Sequence, residues 1–455
     1  MSKLEVDTID TTSGGSGTLT VGSSNSSAVE IASGKTFKVA REKTTSVTGD
    51  GSTTTSASAG DILLVDVSSA TATIQLPASP NTGDVVIITD ISSAAGTNNI
   101  TVDRNSEKIE GAASNLTLAA NKDSVKLLYT GSTYGWVRSL KIQGDTFISA
   151  TGGTTTTSGD YKIHTFTSTG CFTVASVSAT CTSLNDVSYM VVAGGAGGGG
   201  SDNGAKGGGG GAGGFREGKT TNDTYTASPL NAGSGITVTA STYPITVGGG
   251  GAAGSGTPIN NGVPDNGSNS VFSTITSAGG GKAATYSGNV AGSGGSGGGG
   301  AIGDASDKTT AGSGNTPPVS PPQGSNGGTG TPYCGANHAS RASAGGGGAT
   351  AVGGNGGNVN PVGGVGGAGA TTSISGSSTA YAGGGGGAGG TGLGGTGGTG
   401  GGGPGHTTYP GAGVAGTTNT GGGGGAAGVA TGGSPANLAG GAGGSGIVII
   451  RYKYQ

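Results

Sequence analysis

Residues 189–200 read YMVVAGGAGGGG, an apolar, strand-forming stretch that runs without a break into glycine. A second junction, GGSGIVIIRY over residues 443–452, repeats the pattern in reverse. Between the two lies a chain of unusual composition. Of the 109 glycines in 455 residues, 18 fall in residues 1–193 and 91 in residues 194–455. The second part is therefore about 35% glycine, against roughly 7% in an average protein.

Three arrangements suit such a chain. Collagen needs glycine at every third position, and runs such as Gly207–Gly211 break that register. A flexible linker avoids the backbone ordering cost of about 1–2 kcal/mol per residue. Against a linker stand the recurrent runs (194–200, 207–214, 248–254, 383–390 and 421–428 among them) and the strands at both ends. The remaining arrangement is a bundle of polyglycine-II helices, extended at ~3.1 Å and three residues per turn. Without side chains, neighbouring backbones approach until their N–H and C=O groups pair. The similar run lengths suit antiparallel stacking, with mid-run glycines such as Gly209 and Gly386 too crowded for any side chain. The segments 215–247 and 301–344 read as long loops.

Working outward, Tyr161–Thr167, Cys171–Val177 and Ser188–Ala193 read as strands, with Cys171 and Cys181 facing across a hairpin as reduced thiols. Residues 46–145 read as a β module. Its strands are Ile62–Val67, Thr71–Leu76, Asp84–Asp90, Ile100–Val102, Leu116–Leu118, Val125–Tyr129 and Trp136–Leu140, separated by turn residues. Thr71–Leu76 alternates as a half-buried strand does, Val85–Ile88 reads as buried on both faces, and Tyr129 and Trp136 flank a hairpin turn. Residues 1–45 carry short alternating pairs: Leu4 and Val6, Leu19 and Val21, Val29 and Ile31, Phe37 and Val39. No segment holds a helical period. The expected fold is all-β and elongated: an N-terminal attachment and oligomerisation segment (1–45), a β module (46–145), a linker (146–159) and a glycine-rich domain (160–455).

Composition narrows function. The net charge is −3, from 20 basic and 23 acidic residues without a basic stripe, which excludes a phosphate-tracking surface. No apolar run approaches the ~18–20 residues of a membrane helix, and the N-terminus lacks a signal-peptide core. Three cysteines make no disulfide framework. G-x-G-x-x-G patterns arise by chance at this composition and lack a strand–turn–helix setting. The carboxylates Asp202, Glu217, Asp223, Asp265, Asp304 and Asp307 form no evident hydrolytic pair. His164, His338 and His406 give no metal set, since Cys334 and His338 supply two ligands at most. The reading is a non-catalytic protein without cofactor or metal. Recognition falls to aromatic and basic residues on loops: Tyr333, His338 and Arg341 on one, His406 and Tyr409 on another. The tyrosines have a second reading, as an apolar plug on the ends of the bundle.

The stretches HTFTSTGCFTV, YMVVAGGAGGGG and GGSGIVIIRY resemble the glycine-rich domain of bacteriophage tail-fibre proteins and adhesins. GDILLVDVSSATATIQLPASPNTGDVVIITD, GTNNITVD and SVKLLYTGSTYGWVRS resemble a β module of phage fibres. SKLEVDTIDTTSGGSGTLTVG is similar to fibre openings in marine phages, including those of cyanobacteria. The resemblance implies a polyglycine-II sandwich whose distal loops bind the host surface. It further implies a homotrimer, location in the virion after synthesis in the host cytoplasm, and two kinds of partner. These are a host glycan or outer-membrane component, and virion tail, baseplate or capsid proteins met through the N-terminus. The alternative is a structural virion part, a capsid or tail decoration without receptor binding.

Overall fold

The computed structural model describes residues 43–142, 147–179, 181–202, 205–256, 262–286, 289–302, 309–332, 341–357, 362–390, 393–408, 410–428 and 438–455. The strands expected within 1–42 lie outside the described residues.

The chain first winds through β1 (Lys43–Thr48), β2 (Thr54–Ser56), β3 (Asp61–Asp66), β4 (Ala72–Gln75), β5 (Val85–Asp90) and β6 (Ile100–Asp103). Successive strands alternate between two sheets, β1–β3–β5 and β2–β4–β6, each parallel. The chain thus climbs in stacked rungs. β7 (Leu116–Leu118) closes the second sheet, and β8 (Ser124–Tyr129) with β9 (Trp136–Ile142) closes the first, all antiparallel. Inward residues of both sheets, Val65, Ile74, Leu76, Val86, Ile88, Val102, Leu127 and Trp136 among them, form one core. Tyr129 and Trp136 pair across the β8–β9 hairpin, ring to edge at 5.4 Å. Val85–Ile88 differs from its reading. Val86 and Ile88 are buried while Val85 and Ile87 are half-exposed, because only one face of that sheet packs on the core.

The next strands are β10 (Ser149–Thr151), β11 (Thr154–Ser158), β12 (Tyr161–Phe166), β13 (Gly170–Ser176) and β14 (Asp186–Val192), with a 3-10 turn at Thr182–Asn185 before the last. Cys171 lies on β13 beside Pro244, and Cys181 precedes the 3-10 turn, so the two do not face across a hairpin. Both are free thiols. Later come β15 (Ser201–Asp202), β16 (Ala205–Lys206), β17 (Phe215–Gly218), β18 (Ile236–Thr237), β19 (Thr242–Thr246), β20 (Ser270–Phe272), β21 (Ile275–Ser277), β22 (Ala370–Thr372), β23 (Thr379–Tyr381) and β24 (Ile447–Lys453). The two junction strands become neighbours, with β24 lying antiparallel between β12 and β14. Their unbroken apolar runs follow from burial on both faces. Tyr189, Val191, Val448, Ile450 and Tyr452 pack with Phe172 and Phe272 of the β10–β13–β19–β20–β21 sheet. Met190, Val192, Ile447 and Ile449 pack on the other side with Phe215, Tyr225 and Tyr381.

The fold is all-β, and the described residues contain no α-helical bundle. The glycine runs carry neither helix nor strand geometry over most of their length, yet their hydrogen bonds obey a rule. Gly208 and Gly211 donate to Ala284 and Gly281, Gly209 and Ala212 to Ala344 and Gly347, and Gly210 and Gly213 to Gly424 and Gly421, at 2.8–3.0 Å. Every third residue faces the same neighbouring run. The run 193–200 follows suit: Ala193, Ala196 and Gly199 donate to Gly214, Gly211 and Gly208, while Gly195 and Gly198 donate to Gly444 and Gly441. Bonds also run from Gly299 to Gly209 and from Gly385 to Gly210. The run 207–214 is therefore hydrogen-bonded to six others. Partners run both parallel and antiparallel, rather than antiparallel throughout, because bonds leave a three-fold chain sideways whatever its neighbour's direction. The segment 301–344 is likewise more than a loop. Gly312 donates to Gly298, Gly327 to Gly312 and Gly328 to Gly345, so short glycine stretches within it join the stack. Where a run meets the edge, asparagine side chains cap its amides. Asn326 accepts from Gly314 and Asn355 from Thr329, at 2.8 and 2.9 Å, one way of blunting an exposed row of donors.

Candidate functional site

The register fixes which end of each run lies where. Ala193, Gly214, Gly248, Ala278, Gly421 and Gly446 gather at the end that carries the sheets. Gly200, Gly207, Ala284, Gly300, Arg341, His406, Gly428 and Leu438 stand at the opposite end, where the chain passes from run to run. Tyr333, His338, Tyr409 and Cys334 lie outside the described residues. The described residues around them, Pro332, Arg341, Thr408 and Pro410, all belong to this far end. Arg341 is half-exposed, and its carbonyl accepts from Lys206 Nζ at 3.4 Å.

His406 does not form a surface contact. It is 1% exposed, its Nε2 accepts from the Gly389 amide at 3.0 Å, and its Nδ1 lies 3.1 Å from the Thr408 carbonyl. A side chain on Gly428 would overlap the imidazole. The buried ring occupies space that Gly428, lacking a side chain, leaves open. Burial first, and the nearby Lys206 charge as well, hold its pKa below the ordinary value. His164 is buried too, with Nδ1 2.7 Å from the Gly152 carbonyl and Nε2 3.1 Å from the Tyr452 hydroxyl. Burial also lowers its pKa. Protons therefore bind the unfolded chain more readily at both histidines. Stability is expected to fall as pH drops through the unfolded value of about 6.5, which melting curves between pH 7 and pH 5 check.

Lys206 is the residue that sequence reasoning missed. It stands on β16 where the chain re-enters the stack, fully buried, and burial pushes its pKa down to about 8. The charged form is thus disfavoured in the fold. Stability is present in full above the unfolded pKa of about 10.5 and is lost as pH falls from there to about 8. At neutral pH the penalty is roughly 3 kcal/mol, at 1.36 kcal/mol per unit. Lys206→Met should flatten this dependence, so the stability difference between variant and parent, measured by denaturation, shrinks steadily from pH 8 to pH 10.5.

Two carboxylates of the glycine-rich part, Glu217 and Asp223, are drawn into the scaffold, whereas Asp265 is exposed. Glu217 accepts from the Thr372 hydroxyl at 2.5 Å and from the Ser228 amide at 2.8 Å. Asp223 pairs with Arg451 Nε at 2.9 Å. The Arg451 guanidinium lies 4.6 Å from the Tyr161 ring centre and 5.5 Å from that of Tyr225. All three charged groups are buried. A signal was available: Arg451 interrupts an apolar strand, and a charge inside such a run needs a buried partner. Among the described residues, no three histidine, cysteine or carboxylate side chains gather as metal ligands, and no helix is long and apolar enough to cross a membrane.

A family model described as a glycine-rich domain matches residues 167–453, more than half of the chain. The chain belongs to this family. No curated protein matches it. The boundaries of the glycine-rich domain fall on β12–β13 and on β24, the strands that bracket the runs. Within it, Gly209 and Gly386 sit mid-run. A Cβ on Gly209 would overlap the Gly385 carbonyl oxygen, and one on Gly386 that of Gly395.

Proposed function

We propose that the chain is a bacteriophage virion fibre protein that attaches the particle to its host, without catalysis. In this reading the glycine runs are polyglycine-II helices and their far end is the distal tip. The observation that carries it is the three-residue hydrogen-bond period joining each run to several others. Such a stack is stiff, and its sides offer mostly backbone and small side chains, so selective contact falls to the run-connecting end opposite the sheets. Tyr333, His338, Arg341 and Tyr409 are the proposed contacts there, with a surface glycan or an outer-membrane component as receptor. The N-terminal segment is the proposed link to other virion proteins and the seat of a homotrimer.

Binding of the labelled full chain to a panel of bacterial cells tests the reading. Saturable binding to a subset of strains is expected, and replacing Tyr333, His338 and Arg341 together by alanine should weaken it at least tenfold. Contacts worth ~1–2 kcal/mol each make that a conservative figure. No binding to any strain, with the chain nonetheless present in purified particles, would leave the structural virion part as the correct reading.

A further inference from the structure

Three Asn-Gly pairs lie within the described residues: Asn266-Gly267, Asn326-Gly327 and Asn355-Gly356. All three asparagines are exposed, and each caps a neighbouring run. The Oδ1 atoms of Asn266 and Asn326 accept from the Lys282 and Gly314 amides at 2.8 Å. That of Asn355 accepts from the Thr329 amide at 2.9 Å and from its hydroxyl at 2.8 Å. The glycine that follows is bound to the same run. Gly267 donates to Gly280, Gly327 to Gly312 and Gly356 to Thr329, at 2.9–3.0 Å. The packing also dictates that this residue be glycine. A Cβ on Gly267, Gly327 or Gly356 would overlap the carbonyl oxygen of Gly194, Gly298 or Ala342 respectively.

That requirement carries a chemical liability. In a free chain an asparagine followed by glycine cyclises readily, because no side chain shields the next amide and the backbone turns freely. The glycine nitrogen gives up its proton and bonds to the asparagine Cγ, the Cγ–Nδ2 bond breaks, and ammonia leaves. Water then opens either carbonyl of the cyclic imide, giving aspartate or isoaspartate. In the stack both reacting groups are engaged: the glycine N–H by a carbonyl of the next run, the asparagine Oδ1 by an amide of that run. We propose that Asn266, Asn326 and Asn355 are deamidation sites that the stack holds closed and that open only when an edge run leaves its neighbour. Hydrogen bonding protects them, not burial. Isoaspartate adds one carbon to the backbone, so the bond from Gly328 to Gly345, just after Asn326, would fall out of register. Release followed by modification is therefore one-way. The proposal is independent of the receptor reading and concerns how long the domain keeps its fold.

The test incubates the full chain at pH 8.5, folded and in guanidinium chloride, and follows deamidation by mass spectrometry of peptic peptides covering each pair. Modification at all three asparagines should be at least tenfold slower in the folded chain. Lys282→Pro removes the amide that Asn266 caps, at a half-exposed position. In this variant Asn266 should deamidate at least threefold faster than in the parent, while Asn326 and Asn355 keep the parent's rates. Equal rates in the folded and denatured parent would overturn the proposal. So would an unchanged rate at Asn266 in the variant. Should the variant lose the stack, all three rates rise together and the parent comparison alone decides.

Discussion

Gly209→Val is expected to destabilise the glycine-rich domain by about 3 kcal/mol or more, the upper range for forcing extra volume into a packed interior. The cause is local and steric. Gly209 donates to Ala344 and accepts from Gly299, and a Cβ there would overlap the Gly385 carbonyl. No rotamer relieves that overlap, because the obstacle is backbone on a run held in turn by its own neighbours. Gly386→Val should behave alike, against Gly395. Gly249→Ala is the contrast. A Cβ at that exposed site meets nothing within 4 Å, and loss of unfolded-state freedom should leave stability within about 1 kcal/mol of the parent, toward the stable side. Scanning calorimetry of the three full-length variants separates crowding from a general effect of losing glycine. Equal melting of all three would mean that the runs are not closely packed.

The second large effect is expected at Arg451. Its ion pair with Asp223 joins residues 228 apart in sequence and ties the last strand to the segment after β17. Removing one partner leaves the other charge buried and uncompensated, a loss of about 3–5 kcal/mol. Arg451→Met should therefore cost roughly that much in a denaturant titration. Adding Asp223→Leu should recover much of it, because the stranded charge then goes as well. A double variant no better than the single would show that the stacked tyrosines, rather than the charge, need the guanidinium.

Much of the fold was legible. Asp84–Asp90, Trp136–Leu140 and Gly446–Tyr452 stand out because β-branched runs and turn residues are local signals. The two apolar-to-glycine junctions were the most informative stretches, and the structure makes them adjacent strands. What sequence did not reveal is non-local. The parallel rungs pair residues 18 to 28 apart, and nothing in a single strand says whether its neighbour runs parallel. The same holds in the glycine stack, where an identical run can face any other. At the candidate site, residue type suggested recognition for His406, whereas a neighbouring glycine lets the ring sink inward. Lys206 gave no local warning at all, since its burial depends on runs that arrive more than a hundred residues later.

Amide hydrogen exchange of the full chain across residues 207–214 tests the central claim most directly. Each of these glycine amides has a backbone partner in the hydrogen-bonded stack, and peptides covering this run should exchange as slowly as those covering β14 and β24. Exchange at the rate of an unstructured glycine peptide would contradict the packed stack, and with it the fibre proposed on that basis.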